Sequence, residues 1–318
     1  MMNDTIGRFS LWGIEVFLAA AEDGSVSAAA KRLGASPSSV SQQISNLETA
    51  LGTELLNRRE RPMTLTPAGR ILRKRALTIV SEASHARSEI AGLDLSQLGS
   101  LRLGMIEDFE ASVTPILLSG MADTLTHTRF ELETGPSHRL LDHLEHRSLD
   151  VIVAADISKS NWMKSLPLLD DPFVVVTANG HGASLDDLKD VSFIEYTRRH
   201  AMGRELAQHL TAEGVNLVHR FELDSYRAMM AMVAGGTGWT ILTAMGAQQA
   251  GRYAEDIDLH PLPFAPMSRR ISVFVRKDGM EDMADDIAAR LRPLIETQLV
   301  QPAVAANSWL SGHFKVLS

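Results

Sequence analysis

Residues 25–69 read SVSAAAKRLGASPSSVSQQISNLETALGTELLNRRERPMTLTPAG, and the rest of the chain can be read outward from them. Ala28, Ala29 and Ala30 are strong helix formers, and with Leu33 they make the apolar face of a short helix. Ser27 is its expected N-cap, because a serine hydroxyl can accept an unsatisfied N–H of the first turn. Gly34 stands where that helix should end, at C′. Ser36 is then expected to cap a second helix, with Pro37 in the first helical position, where a missing N–H costs nothing. Val40, Ile44 and Leu47 fall at spacings of four and three and form its buried stripe. Ser38, Ser39, Ser41, Gln42 and Ser45 face away from the stripe or flank it. Their hydroxyls and amides are suited to base edges and phosphates.

A basic loop follows, with Arg58, Arg59 and Arg61 ahead of Thr64, Leu65 and Thr66. Between positions 27 and 75 there are nine Lys or Arg against three Asp or Glu, a local balance of +6 on a chain whose net charge is −8. A solvated charge run would explain the arginines, but not their place beside a capped two-helix unit. A basic segment concentrated on an acidic protein is the electrostatic footprint of a nucleic-acid module. Two helices, a tight turn and a basic loop outline a winged helix-turn-helix, which lays its second helix in the DNA major groove.

The stretch resembles the N-terminal domain of LysR-type transcriptional regulators. The match is carried by Ala29, Ala30, Leu33, Ser36, Val40, Ser41, Gln43, Ile44, Leu47, Glu48, Leu51, Gly52, Leu55, Arg58, Arg61, Leu65, Thr66, Ala68 and Gly69. Departures stand at Pro37, Ser38 and Gln42, where the family usually has Gln, Pro and Arg, and at Leu56, where it has Phe. On this reading the DNA-binding residues are Ser27, Ser36, Pro37, Ser38, Ser39, Ser41, Gln42, Gln43, Arg58 and Arg61. The implied partner is double-stranded DNA at a pseudo-palindromic operator. RNA polymerase is a further partner if the protein activates.

At 318 residues, two or three domains are expected. With 45% apolar and 22% charged residues, the chain can bury a sizeable core. No apolar run approaches the ~20 residues of a membrane span, and MMNDTIGRFS does not read as a secretory signal. A cytoplasmic place with no membrane association is the expectation. Zero cysteines exclude disulfides, thiol catalysis and thiolate metal sites.

Residues 11–22 carry Leu11, Ile14, Val16, Phe17, Leu18 and Ala21, the face of a supporting helix ended by Gly24. From Ala68 to about Ala91, Leu72, Ala76, Ile79, Ala83, Ala86 and Ile90 repeat at four and three, a heptad seam expected to pair two chains. The family resemblance implies the same, with a homodimer or homotetramer as the product. Beyond position 100, strands expected at 101–106, 129–132, 151–154, 173–176, 192–194, 220–223, 240–242 and 271–275 alternate with helices at 113–125, 137–147, 202–213, 225–234 and 280–299. That alternation predicts an α/β fold with parallel sheets. The expected division is a winged helix-turn-helix over 1–67, a linker helix over 68–91, a hinge over 92–99, an effector domain over 100–300 and an extension over 301–318. Within the effector domain, lobe I takes 100–164 and 270–300 and lobe II takes 165–269, with crossings near 164–167 and 263–266. This arrangement resembles the family's effector domain, itself similar to periplasmic binding proteins. The resemblance places a small-molecule effector between the lobes, at Ile106, Glu107, Asp108, Phe109, Thr134, Gly135, Ser137, Tyr196, Thr197 and Arg198. The ligand expected there is a small zwitterion or carboxylate.

Other signals are weaker. Gly235, Gly236, Thr237 and Gly238 follow a helix and precede a strand, the wrong order for a dinucleotide fingerprint. His138, His143 and His146 lack a matching set of metal ligands. The sequence pairs Glu107–Asp108 and Asp170–Asp171 do not by themselves make an acid/base site, and no G-x-S-x-G nucleophile motif occurs. No cofactor, metal or catalytic residue is expected, and the chain is read as a non-enzyme. The competing readings are an enzymatic or solute-binding α/β domain fused to a DNA-binding arm.

Overall fold

The computed structural model describes residues 8–58, 60–90, 99–156, 160–215, 217–277 and 280–317. The chain divides into two compact units, residues 1–100 and 101–318.

The first unit opens with α1 (Leu11–Asp23), whose N-cap Ser10 accepts from the Gly13 N–H at 3.0 Å and whose end is turned by Gly24 at φ 61°. That left-handed turn leaves Ser25 extended. Ser25, not Ser27, therefore caps α2 (Val26–Arg32), and Ser27 lies inside the helix, exposed. Ser36 accepts from the Ser39 N–H to cap α3 (Pro37–Leu51), with Pro37 in the first turn. Val40 and Ile44 are fully buried and Leu47 nearly so. They meet Ile14, Phe17 and Ala20 of α1 and Ala29 and Ala30 of α2 in one core. Small alanines let the helices cross closely, which is why α2 can be apolar yet slight.

A two-stranded wing, β1 (Leu56–Asn57) antiparallel to β2 (Thr64–Leu65), holds the basic loop. Then comes α4 (Pro67–Ile90). Its first turn is seated by Thr66, whose hydroxyl donates to the Glu54 carbonyl at 2.7 Å and accepts the Gly69 N–H at 3.0 Å. A side chain on Gly69 would collide with the Leu55 carbonyl oxygen, so only glycine fits there. The first part of the expected seam is turned inward: Ala76 is fully buried, and Leu72 packs on the same core together with Val80. Of the expected seam, Ile79, 39% exposed, and Ala86 face outward, and Ile71 and Leu77 on the same helix are exposed as well. The side chain of Ile90, and the expected hinge apart from Gly99, lie outside the described residues.

In the second unit, β3 (Ser100–Met105), β4 (Arg129–Thr134), β5 (Val151–Ala155), β6 (Met163–Ala178), β9 (Thr240–Thr243), β10 (Ile257–His260), β11 (Ser268–Arg276) and β12 (Lys315–Val316) share one sheet, while β7 (Phe193–Tyr196) pairs with β8 (His219–Leu223). β3 and β5 are parallel, as are β7 and β8, but every pairing of β6 and β11 is antiparallel. The sheet is therefore mixed. Between the strands lie α5 (Thr114–Ala122), α6 (Ser137–Glu145), α7 (Leu185–Leu188), α8 (Ala201–Ala212), α9 (Tyr226–Ala234) and α10 (Ala244–Ala247).

The spine is β6, 16 residues long. From Met163 to Pro172 it pairs with β11, and from Phe173 onward with β9 and β10. The chain thus passes from one sheet region to the next inside a strand, between Pro172 and Phe173, later than the position expected near 164–167. It returns where the Met267 carbonyl accepts the Phe173 N–H at 2.8 Å.

After α11 (Glu281–Ile295) the chain continues through a wider turn into α12 (Gln301–Ala306) and then β12. The C-terminal segment folds back on its own domain. Leu310 is fully buried and Phe314 1% exposed, β12 pairs with Leu169 and Asp170 of β6, and Arg292 donates to the Leu317 carbonyl at 2.8 Å. Phe314→Ala should accordingly cost about 3–5 kcal/mol, measured as a lower urea midpoint of the full chain by tryptophan fluorescence. Lys315→Ala, whose side chain is exposed, should change stability by less than about 0.5 kcal/mol.

Candidate functional site

In the first unit the polar face of α3 is open. Ser36, Pro37, Ser38 and Ser39 are exposed at its start, and Gln42 is exposed one turn on. The Ser36 and Ser38 hydroxyls lie 3.0 Å apart, and Gln42 donates to Asn46 at 2.8 Å. This array of hydroxyls and amides crowns a helix N-terminus, where the dipole favours phosphate. Ser41 and Gln43 are half-buried, and Gln43 turns back toward Gly13 of α1. Arg61 is exposed on the wing loop. Arg58 is engaged with α3 itself: it pairs with Glu48 at 2.7 Å and donates to Ser45 at 3.2 Å. The other oxygen of Glu48 accepts the Leu55 N–H at 2.9 Å. Glu48 therefore fixes the wing to the end of α3, a role that the spacing of the motif did not announce.

In the second unit a cleft of about 590 Å³, counted with the solvent at its mouth, opens where strand ends and helix starts converge. The ends of β3, β5 and β7 deliver Ile106, Glu107, Asp108, Ala155 and Tyr196. Gly135, Pro136, Ser137 and His138 come from the start of α6. From the start of α8 come His200, Ala201, Met202 and Glu205, and Tyr226 and Arg269 complete the lining. Of the residues expected at an effector site, Ile106, Glu107, Asp108, Gly135, Ser137 and Tyr196 are brought together here.

Four others are elsewhere. Phe109 is fully buried in the core. Thr134 gives its carbonyl to Arg139 at 2.7 Å. Thr197 is buried and donates to Glu222 at 2.6 Å. Arg198 pairs with Glu195 at 2.5 Å and lines a separate hollow with Leu210 and His219.

The cleft's floor is an ion cluster. Arg269 donates to Asp108 at 2.7 Å, to Asp171 at 2.9 Å and to Thr243 at 3.1 Å. Asp171 is fully buried, Asp108 is 4% exposed and the Arg269 side chain 8%. Asp171 also accepts the Met245 N–H at 3.0 Å, and the Asp108 carbonyl accepts from Gln249 at 3.1 Å. Burial opposes the charge on Arg269, but Asp108 and Asp171 outweigh it and hold the guanidinium protonated far above its usual range. Burial likewise pushes the Asp171 carboxyl up, while Arg269 pulls it back. The sequence pair Asp170–Asp171 is thus structural, since Asp170 pairs with Arg270 at 2.8 Å. A signal existed for it: antiparallel register sets Arg269 and Arg270 against Asp171 and Asp170.

Above this floor the rings of Tyr196 and Tyr226 stack with centroids 5.2 Å apart. The Tyr196 hydroxyl shares a 2.9 Å hydrogen bond with His200 Nδ1, and the His200 ring lies 5.8 Å from that of His138. Burial and then Asp108 push Tyr196 up to about 12, so it stays a neutral donor. Burial and then the neighbouring His138 lower His200, which keeps its imidazole neutral at pH 7. His143 pairs with Glu133 at 2.9 Å and His146 with Asp142 at 3.1 Å. Among the described residues no group of three His, Cys, Asp or Glu is placed to hold a metal, and no helix is long and apolar enough to cross a membrane.

Arg269→Leu would leave two buried carboxylates without a counter-charge, an expected loss of about 3–5 kcal/mol in urea unfolding of the full chain. The group that lowers the Asp171 pKa would be gone, so the folded-state pKa would rise further above its unfolded value. Stability tied to it is present at low pH and lost as pH rises. The deficit relative to wild type should therefore be larger at pH 7 than at pH 5. A pH-independent deficit would mean that packing, not charge, had been removed.

Comparison with known proteins agrees with both halves. Residues 11–70 match the model described as bacterial regulatory helix-turn-helix protein, lysR family, and residues 96–293 match the LysR substrate binding domain. A probable hydrogen peroxide-inducible genes activator of Mycobacterium avium is 27% identical over 310 residues, 93% of this chain and 98% of that protein. Its counterpart in Mycobacterium xenopi is 32% identical over 183 residues, 58% of this chain and 97% of that one. Among solved structures, a cysteine mutant of OxyR from Corynebacterium glutamicum shares the fold, with a TM-score of 0.66, 24% identity and coverage of 94% of this chain and 96% of that one. The two matched domains together span well over half of the chain, and the protein belongs to the LysR family of bacterial transcriptional regulators, with an N-terminal helix-turn-helix and a C-terminal effector-binding domain.

Proposed function

We propose that this regulator reads a pseudo-palindromic operator as a homodimer or homotetramer in the cytoplasm, and that a small molecule in the cleft lined by Glu107, Ser137 and Tyr196 sets its activity. The observation that carries the reading is the open polar face of α3 beside a basic wing, on a helix whose apolar stripe is fully used by its own core. Ser38, Ser39 and Gln42 read base edges, Arg61 holds a phosphate, and Arg58 acts by fixing the wing through Glu48. Ile79, Ala83 and Ala86, seam positions of α4 that the core does not bury, form the seam between two chains. RNA polymerase is the further partner if the protein activates.

The relatives named as peroxide-inducible activators do not transfer their stimulus. This chain has no cysteine, hence no thiol to form a sulfenic acid or a disulfide. A reversibly bound effector, shifting the populations of two lobe arrangements, is the reading left for the cleft.

A gel shift with the protein's own upstream DNA tests the reading. Gln42→Ala should relax base preference at one position, by ~1–3 kcal/mol. Arg61→Ala should weaken all sequences alike and lower the salt slope by about one unit. If both variants changed specificity equally, the assignment of base reader and phosphate holder is wrong. Separately, Ile79→Lys puts a charge into the proposed seam. The variant should run as a smaller species in light scattering and lose cooperative DNA binding, and retention of the native mass would remove α4 from the interface.

A further inference from the structure

The charge of the cleft does not suit a bare anion. Its lining carries one arginine, Arg269, already taken by Asp108 and Asp171 at 2.7 and 2.9 Å. The cations nearby are engaged as well. Arg139 is held by the Thr134 carbonyl and Glu133, Arg198 by Glu195, and Arg199 by Asp224. Arg204 donates to the carbonyls of Arg198 and Arg199. Two lining carboxylates remain, Glu107 and Glu205, with no hydrogen-bond or ion-pair partner among the described residues. Glu107 follows β3, and Glu205 lies on α8, beyond the Pro172–Phe173 passage, so they belong to different lobes.

We propose that the cleft takes a small ligand bearing a cationic amine, held between the carboxylates of Glu107 and Glu205, an assignment that rests on this cleft being the effector site. Three further observations agree. Burial pushes both carboxyl groups above their ordinary range, with Asp108 adding to the effect at Glu107. Each therefore gains from an added positive charge. The stacked Tyr196 and Tyr226 give the same cleft an aromatic wall, which favours an ammonium or its alkyl stem. The starts of α6 and α8 open into the cleft with no side-chain cap. They would take a carboxylate or carbonyl on the same molecule, so an amino-acid-like ligand fits and a dianion does not. Because the two carboxylates stand on different lobes, one amine between them favours the closed arrangement.

The test uses the full chain and three probes, cadaverine, free lysine and glutarate, by calorimetry and thermal shift. Lysine and cadaverine should bind and raise the melting temperature, and glutarate should not. Glu107→Gln and Glu205→Gln each remove a charge that its surroundings disfavour, so without ligand the melting temperature should hold or rise slightly. Each should weaken the amines at least about tenfold, the effect of one lost charge-assisted hydrogen bond. Glutarate binding, amine binding that survives both changes, or no amine binding up to about 10 mM would each overturn the proposal. Ala201→Trp, which fills the cleft, separates this failure from failure of the site. Glutarate lost in that variant keeps the effector site and rejects the charge assignment, whereas a probe indifferent to it binds outside the cleft and rejects both.

Discussion

Much of the effector domain hangs on one guanidinium. Arg269 reaches Asp108 in the loop after β3, Asp171 on the long strand and Thr243 at the start of α10. Those three groups belong to different parts of the fold, and each is buried. Removing charges from water is costly, and such a cluster persists only where the geometry supplies every partner. Here it does. Asp171 has a backbone N–H as well as the arginine, and the Asp108 backbone is held by Gln249. The gain is specificity of arrangement: the loop that presents Glu107 to the cleft cannot move without disturbing Asp108, its sequence neighbour. The loop on one side of the cleft is thereby tied to the buried ion cluster at its floor.

The DNA-binding unit uses the same device at smaller scale. Glu48 sits on the last turns of α3 and accepts the N–H of Leu55 while pairing with Arg58. One carboxylate thus fixes the angle between the helix expected to enter the groove and the wing expected to flank it. Gly69 completes the joint from the other side, because the Leu55 carbonyl approaches too closely for any side chain. These residues were visible in the sequence as matches to a family pattern. Their physical reason was not, since an acidic residue on a reading helix looks unfavourable until its partners are known.

What was legible followed the rules of periodicity and punctuation. Val40, Ile44 and Leu47 announced their burial by spacing alone, and Gly24 and Gly34 marked turns that take positive φ. What was lost depended on partners far along the chain. The part of β6 from Met163 to Pro172 contains two prolines, Pro167 and Pro172, and two aspartates, which argue against a strand. Pro167 is accommodated at a bulge opposite Ser272, and the aspartates are neutralised by arginines on the facing strand. The cap of α2 was displaced by two residues because the turn at Gly24 leaves Ser25 extended. In the cleft, the loop after β3 and the start of α6 were legible as strand ends and helix starts. Arg269, Glu205 and Tyr226 were not, since tertiary register alone brings them there. The family resemblance put Arg198 at the effector site, and only the structure pairs it with Glu195.

The placement of β6 has a consequence for biosynthesis. Its partner β11 lies about a hundred residues later in the chain, and β12 later still. Sheet pairing of such long separation is slow and cannot begin until its partners have left the ribosome. The first hundred residues, by contrast, enclose their own core. During translation the helix-turn-helix unit can therefore close its core while the sheet of the effector domain is still waiting for its partners, and each nascent chain passes through an interval in which only its first unit is folded.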